Sequence, residues 1–91
     1  MTFKMTWALV AEHADEWTGD NCHEATAILK ERVGAAVSTS GMTPAAQAHF
    51  RETFLNPLRE RLSSEGSSAI SSGQTWSAAA GPLLVALAPA A

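Results

Sequence analysis

Apolar residues recur at helical spacing along most of the chain. The first such group lies at positions i, i+3, i+4, i+7 and i+10, on one face of a helix: Trp7, Val10, Ala11, Ala14 and Trp17. The opposite face of this predicted helix is acidic. We expect the helix to end at Thr18-Gly19, because glycine readily adopts the left-handed conformation that closes a helix.

A second helix is predicted directly after this turn, capped by Asp20 or Thr18. Its apolar stripe consists of Cys22, Ala25, Leu29 and Val33, with Ile28 and Ala36 beside it. The small polar residues after Val37 indicate its end.

The third predicted helix begins at Thr43-Pro44, a capping hydroxyl followed by proline at the first helical position. Its apolar residues are four positions apart: Ala46, Phe50, Phe54, Leu58 and Leu62. Asn56-Pro57 interrupts this stripe, either as the start of a fresh helix or as a kink in a continuous one. The continuation of the stripe through Leu58 favours a kink near Pro57.

The serine-rich stretch at residues 63–76 is compatible with two structures. Its composition is typical of a flexible linker. A seven-residue recurrence through Leu62, Ala69 and Trp76, with Ile70 beside it, favours a helix held by packing. Both alternatives stay open, and the apolar tail at 78–91 is expected to dock on the core or on a partner.

Strand signals are weak by comparison. The chain has no Asn-Gly or Asp-Gly hairpin turn and no alternating segment rich in β-branched residues. We therefore predict an all-α fold, a single helical domain over residues 1–91 that forms a small hairpin or bundle of three to four helices.

Size and composition restrict the function. With 91 residues the chain buries only about 60–65% of its unfolded surface, yet 46% of its residues are hydrophobic and 16% charged. We expect a partner to cover part of that apolar surface. The net charge of −3 argues against nucleic-acid binding, which requires a basic surface. The tail is shorter than a membrane span, so we expect no span and a cytoplasmic protein.

The chain also contains residue types that serve in metal and thiol chemistry. Asp20 and His23, like His49 and Glu52, are spaced to share a helix face, and Cys22 precedes His23. The pairs lack the further ligands of a di-metal carboxylate site, and a buried cysteine is usually a small core residue. We predict no catalytic residue, no cofactor and no metal, and keep a metal- or thiol-dependent enzyme as a disfavoured alternative.

The segment Trp17-Thr18-Gly19-Asp20 resembles the Trp-x-Gly turn of the small helical-hairpin proteins of type VII secretion. The resemblance implies Trp17 and Gly19 as turn residues between two helices, pairing into a four-helix dimer, and export without a cleaved signal peptide. The chain has no tyrosine, so the C-terminal export signal of that family is missing.

The sequence thus predicts a non-enzymatic interaction protein that pairs with itself or with a larger protein. The alternative is a small acidic inhibitor or adaptor, of phage or accessory-gene origin, that blocks a larger target. The predicted interface consists of Phe50, Phe54, Leu58, Leu62, Ile70, Trp76, Leu83, Leu84 and Leu87.

Overall fold

The computed structural model describes residues 2–9, 13–39 and 41–90, and it contains both strands and helices. The strands are β1 (Phe3–Leu9), β2 (His13–Gly19), β3 (Trp76–Ala80) and β4 (Leu83–Pro89). The helices are α1 (Cys22–Ser38), α2 (Pro44–Phe50), α3 (Asn56–Arg61) and α4 (Ser67–Ser71). The predicted all-α bundle is therefore wrong.

The four strands of the described chain form one antiparallel sheet in the order β2-β1-β4-β3. The hairpin β1–β2 pairs Met5 with Trp17, and the hairpin β3–β4 pairs Ala78 with Val85. The two hairpins join through β1 and β4, where Trp7 lies opposite Val85. The two ends of the chain thus form the centre of the sheet.

The predicted first helix is the β1–β2 hairpin instead. In β1, buried Phe3, Met5, Trp7 and Leu9 alternate with more exposed residues, which is the two-residue period of a half-buried strand. Trp7, Ala14 and Trp17 matched a helical face only by coincidence of spacing. Val10 and Ala11, the other members of that face, lie outside the described residues.

Helix α1 confirms the predicted apolar stripe. Ala25, Leu29, Val33 and Val37 are buried, and Cys22, Ile28 and Ala36 pack partly buried against the core. The cap is Asn21 rather than Asp20 or Thr18: its side-chain oxygen accepts hydrogen bonds from the backbone N–H of His23, at 2.8 Å, and Glu24, at 3.2 Å.

The second helical segment runs through residues 44–71. It begins as predicted, with the Thr43 hydroxyl accepting from the backbone N–H of Ala46 at 3.2 Å and Pro44 in the first turn. Two π-helical turns, Arg51–Leu55 and Leu62–Gly66, join α2, α3 and α4 end to end. We call this segment the long helix.

The π-helical turns explain how the long helix keeps its apolar stripe on one side. Residues four apart advance by about 40° beyond a full turn in an α-helix, so five such steps would rotate the stripe by about 200°. A π-helical turn contains more residues per turn and reduces that drift. Phe50, Leu58, Leu62 and Ile70 consequently all reach the core.

The long helix continues through Pro57, the second residue after the first π-helical turn, and through most of the serine-rich stretch. It ends at Ser71, where Gly73 takes a positive φ of 73° and its N–H donates to the carbonyl of Ile70 at 3.0 Å. Residues 63–71 are therefore helical, whereas Trp76 opens strand β3.

Both helical segments pack on the same side of the sheet. Their buried residues meet alternate residues of the central strands in one core, with Phe3, Met5 and Trp7 from β1 and Leu83, Val85 and Leu87 from β4. Arg59 ties the two helical segments together, because its Nε donates to the carbonyl of Thr26 at 3.2 Å. The molecule thus has a helical layer and a sheet layer, and the tail at 78–91 belongs largely to the sheet.

Candidate interaction surface

The other side of the sheet is covered by no helix or strand of the described residues; we call it the open face. It consists of Lys4, Thr6 and Ala8 from β1, Ala14, Glu16 and Thr18 from β2, Ser77 and Ala79 from β3, and Leu84, Ala86 and Ala88 from β4. Alanine dominates this set, and its charged members are Lys4 and Glu16. A solvated sheet face usually carries mostly polar residues, so this composition is unusual.

The strand register arranges these residues in three rows across the sheet. The first row is Ala14, Ala8, Leu84 and Ala79, the middle row is Glu16, Thr6, Ala86 and Ser77, and the third is Thr18, Lys4 and Ala88. Around Ala8 and Leu84 the surface is a shallow concavity of about 450 Å³. The first row is entirely apolar.

Leu84 is the large hydrophobic residue of the open face. Half of its surface (50%) is exposed, and it is the one large hydrophobic residue so exposed in the part of the chain that the structure describes. It belongs to a continuous apolar run from Leu83 to Ala88, a pattern typical of strands buried on both faces. In this chain the helices cover only one face of β4.

The charges of the open face cancel each other. Lys4 Nζ lies 2.7 Å from Glu16 Oε2, and both side chains are about half exposed, at 47% and 61%. An exposed ion pair of this kind adds only about 0–1 kcal/mol to stability. Its main effect is that the open face carries no net charge.

The structure uses most of the predicted interface residues inside its own core. Buried there are Phe50, Leu58, Leu62, Ile70, Leu83 and Leu87, and Phe54 and Trp76 are partly buried against them. Leu84, the remaining predicted interface residue, is the one that points to the open face. Successive side chains of a strand point to opposite faces, which explains why adjacent Leu83 and Leu84 differ.

Trp17 and Gly19 lie in strand β2 and not in a turn between two helices. The Trp17 ring packs edge-on against Phe3, with the ring centroids 5.9 Å apart. Gly19 does not have the left-handed conformation that a helix-ending role implied, since the glycines with positive φ in the described chain are Gly41, Gly73 and Gly81. The predicted turn at this motif is therefore wrong.

The candidate chemical groups lie on the helical side and stay dispersed. Cys22 and His23 line a depression together with Ser63 and Ser67 of the long helix. Within the described residues, no three or more histidine, cysteine or acidic side chains come together as a metal site would require. A hydrogen bond from Arg61 holds the pKa of Glu65 below its ordinary value, and both residues lie on the long helix.

No protein-family model, curated protein or solved structure matches this chain. The resemblance to the type VII secretion proteins consequently stays a prediction, although Trp17 and Gly19, which it implied as turn residues between two helices, lie in strand β2. Among the described helices, none has the length and apolar character that crossing a membrane requires.

Sequence reasoning missed most of the open face. Of its residues, only Leu84 belongs to the predicted interface; Ala79, Ala86 and Ala88 belong to the tail expected to dock on the core or on a partner, and Ala14 belongs to the first predicted helix. The alternation of apolar and polar residues in Phe3-Lys4-Met5-Thr6-Trp7 predicts a strand with one buried and one exposed face. This pattern is the signal in the sequence that points to the open face.

Proposed function

We propose that this protein is a non-enzymatic protein–protein interaction module and that its binding surface is the open face. The observation that carries the proposal is the apolar first row, in which half-exposed Leu84 lies among Ala8, Ala14 and Ala79. Small side chains on both sides of the leucine leave a shallow apolar surface on which another protein surface can pack closely.

The energetics of folding support this proposal. A chain of this size has a small core, and leaving a leucine half exposed gives up about 1 kcal/mol that its burial would contribute. The run from Leu83 to Ala88 is more apolar than a strand with one solvated face requires. Binding a partner to the open face recovers this stabilisation.

Site-specific photo-crosslinking in the native host tests this function. A photoreactive benzoylphenylalanine is placed at Ser77, which is exposed at the edge of the open face, and in a second variant at Ala27, which is exposed on α1. We expect a discrete protein adduct from position 77 and none from position 27. The exposed helix position serves as the control because the same probe samples the same cellular proteins there.

Two outcomes contradict the proposal: no adduct from position 77, or the same adducts from both positions. The mass of the adduct identifies the class of partner. An adduct with a larger protein of different sequence would favour the inhibitor or adaptor alternative over self-association.

A further inference from the structure

We propose that the partner on the open face is a second copy of this chain, packed sheet against sheet about a two-fold axis that runs parallel to β1 and β4. This inference rests on the proposed function of the open face. It adds the identity of the partner and the geometry of the contact.

The chemistry of the open face favours a second copy. A suitable partner must carry no net charge at this contact, because Lys4 and Glu16 already neutralise each other at 2.7 Å, and it must present small apolar residues to the first row. A basic or an acidic partner gains nothing from such a surface. A second copy presents a face with the required charge and side-chain size.

The size of the open face allows a symmetric dimer only when the whole face is buried. Four strands about 4.8 Å apart and roughly 20 Å long cover about 400 Å² in projection, or about 800 Å² on two copies before side-chain relief is counted. Specific interfaces begin near 1,200 Å², so the whole face must be used, and the dimer is expected to be of moderate, on the order of micromolar, affinity.

An axis across the strands is disfavoured by charge. Rotation about the middle row would place each strand over its own copy, so that Glu16 of one chain would lie opposite Glu16 of the other. Like charges facing each other across packed sheets are destabilising. Leu84 would then lie opposite Ala88 of the second copy.

An axis along the strands, between β1 and β4, removes this conflict. Each row then lies over the same row of the second copy, with β1 above β4 and β2 above β3. Leu84 comes to lie above Ala8, a large side chain against a small one, and this contact occurs twice. Glu16 comes to lie opposite Ser77, and Lys4 opposite Ala88.

Exchanging the large and small residues of this contact tests the geometry. Leu84→Ala removes the leucine from both copies of the contact, and Ala8→Leu places two leucines in the space of one. We expect each single variant to raise the dimer dissociation constant about tenfold or more. The double variant Ala8→Leu/Leu84→Ala restores one large and one small residue at each contact and should return to within about threefold of the wild type.

Sedimentation equilibrium of the purified full-length chain gives the dissociation constants, and circular dichroism confirms that each variant is folded. Ala27→Leu, on the exposed side of α1, is the matched control and should leave the dissociation constant unchanged.

A double variant that dimerises as weakly as the single variants would overturn the axis along the strands. A wild-type chain that stays monomeric at about 100 µM would overturn the second copy as partner. In that case, a photo-crosslinked adduct with a different protein would still support the proposed interaction function. If photo-crosslinking also gave no adduct, the interaction function would be contradicted as well.

Discussion

Truncation of Leu83 to alanine is expected to destabilise the protein by about 2–5 kcal/mol, whereas the same truncation at the adjacent Leu84 should change the stability of the monomer by less than about 1 kcal/mol. Leu83 is 1% exposed and faces the helices, and Leu84 is 50% exposed on the open face. Removing a buried leucine loses its transfer free energy and leaves a cavity. A domain of this size has about 5–15 kcal/mol of total stability, so the difference is large.

Urea unfolding followed by tryptophan fluorescence measures both changes, at protein concentrations low enough for monomers to dominate. Leu87→Ala is a second core control, because Leu87 is also 1% exposed. An equal loss of unfolding free energy in Leu83→Ala and Leu84→Ala would contradict the assignment of β4 as a strand, since the two-residue alternation of a strand requires the two losses to differ.

The two glycines within the helical segments are expected to respond in opposite ways to substitution. Gly34 has open space where a Cβ would be placed, so Gly34→Ala should stabilise the protein by about 1 kcal/mol through helix propensity. Gly66 lies where the long helix approaches the sheet. A Cβ there would come within 2.8 Å of Leu87 Cδ1 and 3.3 Å of Trp76 Cε3.

Gly66→Ala should therefore not give the stabilisation of about 1 kcal/mol that is expected for Gly34→Ala. Gly66→Val should destabilise the protein by about 2–4 kcal/mol, because its extra methyl groups force the helix away from β4. Thermal unfolding of the three variants at one protein concentration measures these differences. A stabilised Gly66→Val variant would mean that the long helix and the sheet are not in contact at this glycine.

The helices of the fold could be predicted because their signals are local. The stripe of α1 and the start of the long helix at Thr43-Pro44 follow from spacing and capping chemistry, and both are confirmed. The cap of α1 was placed one or more residues too early, since Asp20, Asn21 and Thr18 are all good capping residues and only the backbone geometry chooses between them.

The sheet could not be predicted as readily because its residues have weak strand propensities. Strand β3 is Trp-Ser-Ala-Ala-Ala and β4 is rich in leucine and alanine, which are common in helices. These strands form because β1 and β4, from opposite ends of the chain, pair along their whole length. Such a contact between distant segments leaves no local pattern in the sequence, apart from the alternation in β1.

The candidate surface could be predicted only in part for the same reason. The sequence predicts an apolar tail that docks on the core or on a partner, and the structure places Leu84 of that tail on the open face. Its neighbours Leu83 and Leu87 were assigned to the same interface, because a helical interpretation does not separate the two faces of a strand. The alanines Ala8 and Ala79 carry no signal in the sequence, because only the strand register places them beside Leu84.

Sedimentation equilibrium of Leu84→Lys against Ala27→Lys tests most directly whether the open face is the interaction surface. Both variants add one positive charge at an exposed position, but only the first lies on the open face. The wild type and Ala27→Lys should approach twice the monomer mass of 9.6 kDa at about 100 µM, well above the expected micromolar dissociation constant, and Leu84→Lys should stay near 9.6 kDa with unchanged helix and strand content. A Leu84→Lys variant that dimerises as tightly as Ala27→Lys would contradict the assignment of the open face.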